Sequence, residues 1–401
     1  MTAVANSTIN STSKIQIIDA DTHLTEPHDM WVKRAPKSML DRVPQVKKMR
    51  DGSDAWVIDG DKVIGANAHP NSAILKGGGK VRDLDTFLDL RFDDVHLGSS
   101  DVKARLKVMD ECGIYAQIVY PNILGFGGQA SAKVDPELRL VSTQIYNDAM
   151  ADLQEESGDR LFPMALLPWW DVDLAVAECE RISNMGLRGI NINSDPHLHK
   201  DENGEYLPDL ASSYWDPLWE ICVDKSLPVN FHIGASEQSI DWMGSQGWPS
   251  LTRDLKSSVA GAMLFFNNAK VVANLILGGT VERHPKLKFV SVESGIGWVP
   301  FLMEALEYQM SELAESRHFA MTPDEYFKRN FYSCFWFEKK NLSESLRTVG
   351  IDNALFETDF PHPTSLYPID NLEERLSGLT GEERRKVLSL NAAKLYNIPL
   401  L

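Results

Sequence analysis

Eight short apolar runs recur along the chain, and segments with helical periodicity separate most of them: "KIQIIDADTH", "IYAQIVYPN", "LFPMALLPWWD", "GLRGININSD", "LPVNFHIGAS", "KLKFVSVESG", "NFYSCFWFE" and "NALFETDFPHP". Strand alternating with helix is the pattern of α/β architecture. Eight such units predict a closed (β/α)8 TIM barrel, with a doubly wound open sheet as the competing arrangement. Polar residues gather at the C-terminal ends of the runs, where a barrel carries its site, and this favours the barrel. Between the runs, Asp135-Pro136 reads as a cap and first helical residue, followed by Leu138, Val141, Ile145, Ala149 and Leu153 at steps of three and four, until Gly158 ends the helix. Val299, Leu302, Met303, Leu306, Met310 and Leu313 form a second stripe after the sixth run.

The first run continues as "IIDADTHLTEP", with Asp19, Asp21 and His23 at every second place. A strand would set all three along one face. Buried carboxylates are costly without a partner, and a metal ion is the natural one. His232 closes the fifth run and Asp359 the eighth. In a barrel, the ends of strands one, five and eight meet at one mouth. Two imidazoles with two carboxylates suit Zn²⁺, Mn²⁺ or Fe²⁺ and leave room for water or substrate. Taken singly, His232 reads as a hydrogen-bonded core residue, Asp359 as a turn former, and Asp21 with His23 as a pair that needs no metal. Their joint placement at three run ends favours the shared site.

His362 lies three residues past Asp359, at the mouth or in a supporting loop. His197 and His199 mimic a second metal pair but sit in a polar loop, so a solvated role is expected. Trp169, Trp170, Trp242, Trp248, Trp298 and Trp336 lie near run ends. Core packing explains most of them, and those at the mouth favour a planar, apolar substrate. "KGGGK" lacks the spacing of a phosphate loop and reads as a flexible hinge. No nucleophile elbow and no dinucleotide fingerprint is present.

About 90 residues separate His23 from the second run, far more than a usual βα loop. Residues 24–100 are therefore expected to be an insertion that walls or lids the mouth, with a dimerisation arm as the alternative. Inside it, "DAWVIDGDKVI" predicts a hairpin about Gly60-Asp61. Residues 1–14 are polar, lack an apolar signal core and are expected to be disordered. Residues 15–401 then form the barrel.

A chain of 401 residues has room for a large core. Its net charge of −17 argues against nucleic acid and against anionic membrane surfaces as partners. No stretch of 18 apolar residues predicts a membrane span. Cys112, Cys179, Cys222 and Cys334 are far apart, which fits a reducing, cytoplasmic location.

The chain resembles the amidohydrolase superfamily, in the branch that includes aminocarboxymuconate-semialdehyde decarboxylase, γ-resorcylate decarboxylase and lignin-pathway C–C hydrolases. The resemblance runs from about Ile15 to Pro399 and rests on "DADTH", "FHIG" and "ETDFPH". It implies Asp21, His23, His232 and Asp359 as metal ligands. In "VESGIGWVP", Glu293 stands where the family often has a histidine, and the fourth run has no Lys to bridge a second ion. One divalent ion is therefore expected, Zn²⁺ first and Mn²⁺ second. The expected function is a metal-dependent hydrolase of a small aromatic or cyclic substrate. A metal-bound water would attack, Asp359 would move its proton, and Glu293 would be a further general acid or a substrate-orienting group, or else a salt bridge at the rim. The alternative is a non-oxidative decarboxylase of an aromatic or unsaturated acid. A catalytically idle binding barrel is the third reading. A small-molecule substrate and a homodimer are expected.

Overall fold

A computed structural model describes residues 15–236, 248–315 and 317–401. The expected disorder of residues 1–14 and the placement of Trp242 lie outside the described residues. In chain order the strands are β1 (Ile17–His23), β2 (Gln45–Lys48), β3 (Asp54–Ile58), β4 (Lys62–Gly65), β5 (Ile114–Tyr120), β6 (Leu161–Pro163), β7 (Ala165–Leu166), β8 (Ile190–Asn191), β9 (Val229–His232), β10 (Phe289–Val292), β11 (Phe331–Phe335) and β12 (Ala354–Phe356).

Parallel pairing joins β1 to β5 and β5 to β6, and runs from β7 through β8, β9, β10 and β11 to β12. β6 and β7 are one strand interrupted at Met164, whose amide still donates to Val119 O at 2.8 Å. The ring closes between its ends. Thr22 bridges Phe360 in parallel, His23 N donates to Phe360 O at 2.7 Å, and Asp359 N donates to Asp21 O at 2.9 Å. The result is a (β/α)8 barrel, and each of the eight apolar runs supplies one of its strands.

The barrel interior is one packed cluster that includes Ile18, Ala20, Ile118, Phe162, Met164, Val290, Val292, Cys334 and Leu355. The C-terminal segment closes its lower end with Leu395, Tyr396 and Ile398. Tyr396 and Tyr120 both donate to Asn230 Oδ1, at 2.6 and 3.0 Å, so the polar atoms sealed there are paired. Outside the ring, the helix Pro136–Glu156 starts on the Asp135 cap, which accepts from Leu138 N at 3.1 Å, and buries Leu138, Ile145, Ala149 and Leu153. Each of the buried Leu and Ile side chains contributes about 1.5–3 kcal/mol. The stripe on the helix Trp298–Leu313 is shorter than its sequence pattern. Val299, Met303 and Leu306 are buried, but Leu313 is 82% exposed because the last turn leaves the barrel wall. The helical stretch Arg253–Leu277 is apolar enough on average to match a membrane span by composition. It breaks near Phe265 into two helices in the β9–β10 connection.

Between β1 and the helix Val102–Cys112, β2, β3 and β4 form a separate antiparallel sheet, with the hairpin turning at Asp59, Gly60 and Asp61. The chain then crosses to the loop after β12, where Ala73 N donates to Pro361 O at 2.9 Å. "KGGGK" is a hydrogen-bonded reverse turn rather than a hinge: Gly78 N donates to Leu75 O at 2.9 Å and Leu75 N to Gly79 O at 3.1 Å.

Candidate active site

β1 does not keep strict alternation. Ile18 and Ala20 point into the barrel, and Asp19 points to the opposite face. There its carboxylate accepts from Thr358 N at 2.8 Å, Thr358 Oγ1 at 2.6 Å and Gln117 Nε2 at 3.1 Å. Burial pushes the Asp19 carboxyl up to about 7; the Thr358 hydrogen bonds oppose that rise and the neighbouring Asp21 adds to it. The register against β5 then shifts between Asp19 and Thr22. This irregularity turns Asp21 and His23 inward at the strand's C-terminal end. The expectation that Asp19, Asp21 and His23 share one face is thus corrected. Asp19 locks the end of β12 to β1 and stands apart from the cluster.

Asp21, His23, His232, Asp359 and Glu293 meet at the C-terminal mouth. The Nε2 atoms of His23 and His232 are 3.1 Å apart. Asp21 Oδ1 lies 3.6 Å from the first and 3.5 Å from the second. Asp359 Oδ1 is 3.7 Å from His23 Nε2, and Glu293 Oε2 is 3.5 Å from His232 Nε2. The first four side chains are fully buried, and Glu293 keeps 6% exposure. His23 Nδ1 faces Pro121 O at 3.3 Å and His232 Nδ1 faces Ile233 O at 2.7 Å. A carbonyl only accepts, so each Nδ1 carries the proton and each Nε2 presents a lone pair.

Two lone pairs therefore face each other, and neither carboxylate oxygen of Asp21 has a hydrogen-bond partner. A cation satisfies all of these atoms at once. Donor spacings of this size are those of ligands each about 2.1 Å from a shared small ion. Without a cation, burial pushes the Asp21 carboxyl up and drives His23 well below its ordinary range, and His362 and His232 add to the fall in His23.

The family profile described as Amidohydrolase matches residues 18–398. The chain belongs to the amidohydrolase family. A γ-resorcylate decarboxylase from Polaromonas sp. is 24% identical over 310 residues, covering 73% of this chain and 86% of that protein. An amidohydrolase from Mycobacterium avium subsp. paratuberculosis shares the fold with a TM-score of 0.74 at 23% identity, covering 96% of this chain and 99% of the other. A dihydroxybenzoic acid decarboxylase from Polaromonas sp., solved with manganese and the inhibitor 2-nitroresorcinol, gives a TM-score of 0.58 at 19% identity, covering 95% and 97%.

Within this amidohydrolase-family barrel, two strained residues aim the carboxylates. Glu293 (φ 53°) and Asp359 (φ 56°) both leave their strands in the left-handed region, which a residue with a Cβ rarely adopts. Thr364 ties them together. Its hydroxyl lies within hydrogen-bond reach of Asp359 Oδ2 and 3.2 Å from Glu293 Oε1. Among the described residues Glu293 meets His232 and Thr364 and no Lys or Arg, which removes the rim salt bridge. Burial, then the charges of Asp359 and Asp21, push its carboxyl well up.

His362 stacks on His23, with centroids 3.8 Å apart and planes at 26°. Its Nδ1 is 2.9 Å from Asp359 Oδ1 and its Nε2 is 3.0 Å from Asn122 Oδ1. Asn122 Nδ2 donates to Leu24 O at 3.1 Å, which fixes the amide so that its oxygen faces His362. The His362 ring therefore has an oxygen on each side, and its Nε2 donates to Asn122 Oδ1. His197 is exposed, and His199 packs against Trp169 at 4.7 Å; neither joins the cluster. Trp169, Trp170, Trp298 and Trp336 are buried, as core packing requires, and Trp336 also reaches the mouth, where its Nε1 donates to Thr364 O at 3.4 Å.

Thr364 and several other residues of the site are not singled out by the sequence. Glu357 is fully buried, and its Oε2 accepts from Glu293 N at 3.2 Å. It lies two residues before Asp359, so the same alternation that marks Asp21 and His23 carried the signal. Phe126 covers both imidazoles, 4.9 Å from His23 and 4.3 Å from His232. Gly127 beside it leaves no space for a side chain, since a Cβ would fall 2.8 Å from Ala235 O. Arg105 is buried, donates to the His23 carbonyl and lies over the Phe360 ring at 4.5 Å. Asn122 fixes His362, and no sequence pattern marks it or Arg105.

Proposed function

We propose that this protein is a metal-dependent carboxy-lyase that releases CO₂ from a small aromatic acid. The observation that carries the proposal is a buried cluster of two overlapping ligand groups, Asp21, His23, His232 and Glu293 in one and His23, Glu293, Asp359 and His362 in the other, in which both Asp21 oxygens and Asp359 Oδ1 have no hydrogen-bond partner. The hydrolase was the first expectation. The matched relatives are named decarboxylases and favour the alternative.

Asp21, His23, His232 and Asp359 would hold one divalent ion. Manganese in the Polaromonas decarboxylase supports Mn²⁺ alongside the Zn²⁺ first expected. When bound, the ion would polarise the oxygens of the substrate acid. The chain's own groups do the rest. Phe126 shields the two imidazoles from water. As the C–C bond breaks, its electron pair stays on the ring carbon, which takes a proton as CO₂ leaves. Asp359 holds that proton at the cluster, and His362 Nδ1, 2.9 Å from Asp359 Oδ1, resupplies it. Glu293, beside His232, orients the substrate from the exposed side.

Residues 24–100 wall the mouth in this reading, supported by the contact of Ala73 with Pro361. A homodimer is supported by Phe301 and Tyr308, 73% and 61% exposed on one helix. Cytoplasmic location is supported by four free thiols.

The test is a panel of hydroxybenzoic acids with the metal-loaded protein in H₂¹⁸O. The expected result is CO₂ release with no label in the aromatic product. Label entering a product without CO₂ release would return the assignment to a hydrolase.

A further inference from the structure

Of the cluster's side chains, only those on one side keep exposure. Glu293 and His362 are 6% and 8% exposed, and Thr364 beside them is exposed. Thr364 also lines an open groove of about 1010 Å³, within the size range of small-molecule sites. The same residue thus touches Asp359 and Glu293 on one side and the groove on the other. Phe337, 44% exposed, supplies an aromatic wall of this groove.

Two cations enter the groove from the segment that follows β4. The reverse turn at Gly78 and Gly79 has φ 83° at both residues, so the chain doubles back and Val81 N donates to Ala73 O at 2.9 Å. That fold-back delivers Lys80 and Arg82 to the groove. The Lys80 ammonium donates to the Ser365 carbonyl, a neutral partner, in the loop that carries His362 and Thr364. Arg82 is exposed and, among the described residues, has neither an ion pair nor a hydrogen bond. Burial first, and then the nearby Arg82 charge, press the Lys80 pKa down, while Asp359 acts in the opposite sense. The groove's acidic residues are Glu344, Asp370 and Glu374, and Glu344 is engaged by Arg347 at 2.7 Å. In a chain of net charge −17, two neighbouring cations beside the mouth that form no ion pair among the described residues offer a place for an anion from outside.

We propose that Lys80 and Arg82 bind a second anionic group on the substrate, so that the preferred substrate class is an aromatic acid with a further carboxylate away from the one that is lost. The inference rests on the carboxy-lyase reading for the word substrate, and on the groove alone for the recognition of a second carboxylate. Arg82 offers the planar fork that grips a carboxylate at two points, and Lys80 adds a point charge. The ring between the two carboxylates would lie against Phe337.

Calorimetric titration of the metal-loaded protein with benzoate and with benzene-1,3-dicarboxylate tests this without turnover. The wild type should bind the dicarboxylate roughly tenfold or more tightly than benzoate. Arg82→Gln should remove most of that preference, Arg82→Glu should reverse it, and Lys80→Gln should reduce it, with benzoate affinity unchanged in all three. Arg82 is exposed, so its variants keep the fold. Equal affinity of the wild type for both acids, or a preference that survives the double variant Lys80→Gln/Arg82→Gln, overturns the proposal. Loss of CO₂ release on every acid with the dicarboxylate preference intact would sink the carboxy-lyase reading and leave the anion site standing.

Discussion

The Nε2 atoms of His23 and His232 face each other at 3.1 Å, each with its Nδ1 committed to a backbone carbonyl. Neither nitrogen has a proton to offer the other. The arrangement is repulsive on its own and attractive once a cation is shared, so metal and fold are coupled. Removing the ion with a chelator should lower the melting temperature, and adding back Mn²⁺ or Zn²⁺ should restore it. Thermal melts before and after chelation measure this, and an unchanged melting temperature would contradict the coupling.

His362→Gln should leave metal content intact and cut turnover about 10²-fold or more, the usual worth of a positioned proton donor. The parallel change His23→Ala should lose both metal and activity. Elemental analysis alongside CO₂ release separates the two effects.

Thr364→Val removes the hydroxyl shared by Asp359 and Glu293. Turnover should fall about tenfold, consistent with loss of one hydrogen bond to a charged group, while Thr364→Ser should retain most of it. Steady-state rates for both variants check this.

Glu26 gives a pH signature away from the ligands. It is buried, its Oε1 accepts from Asn122 N at 2.8 Å and Ile123 N at 3.2 Å, and its Oε2 has no partner. Burial pushes its carboxyl from an ordinary 4.5 up to about 7, against the pull of the Asn122 hydrogen bond. Because the folded pKa is the higher one, the Glu26 contribution to stability is full below about 4.5 and is lost as the pH rises to about 7. Glu26→Gln keeps the acceptor oxygen and abolishes the titration. Its stability should match wild type near pH 4.5 and exceed it by a few kcal/mol at pH 8. Denaturant titrations across that range measure the difference.

The barrel was legible because each of its strands is a short apolar run that ends in polar residues, from "IIDADTH" to "LFETDF". His23, His232 and Asp359 were legible for the same reason, as polar groups at run ends that only convergence explains. The role of Asp19 was not, because the shift between Asp19 and Thr22 depends on pairing with β5 and leaves no trace in the residue pattern. Asn122, Phe126 and Arg105 reach the site from loops and a helix whose positions follow from tertiary packing. The choice between hydrolysis and decarboxylation was hidden because both reactions use the same donor set.

Metal content of the purified protein tests the central claim most directly. Elemental analysis should find about one divalent ion per wild-type chain, and almost none in a His23→Ala/His232→Ala variant that still folds. A wild-type chain that holds no ion after dialysis against Mn²⁺ or Zn²⁺, or a double variant that holds as much as wild type, would contradict it.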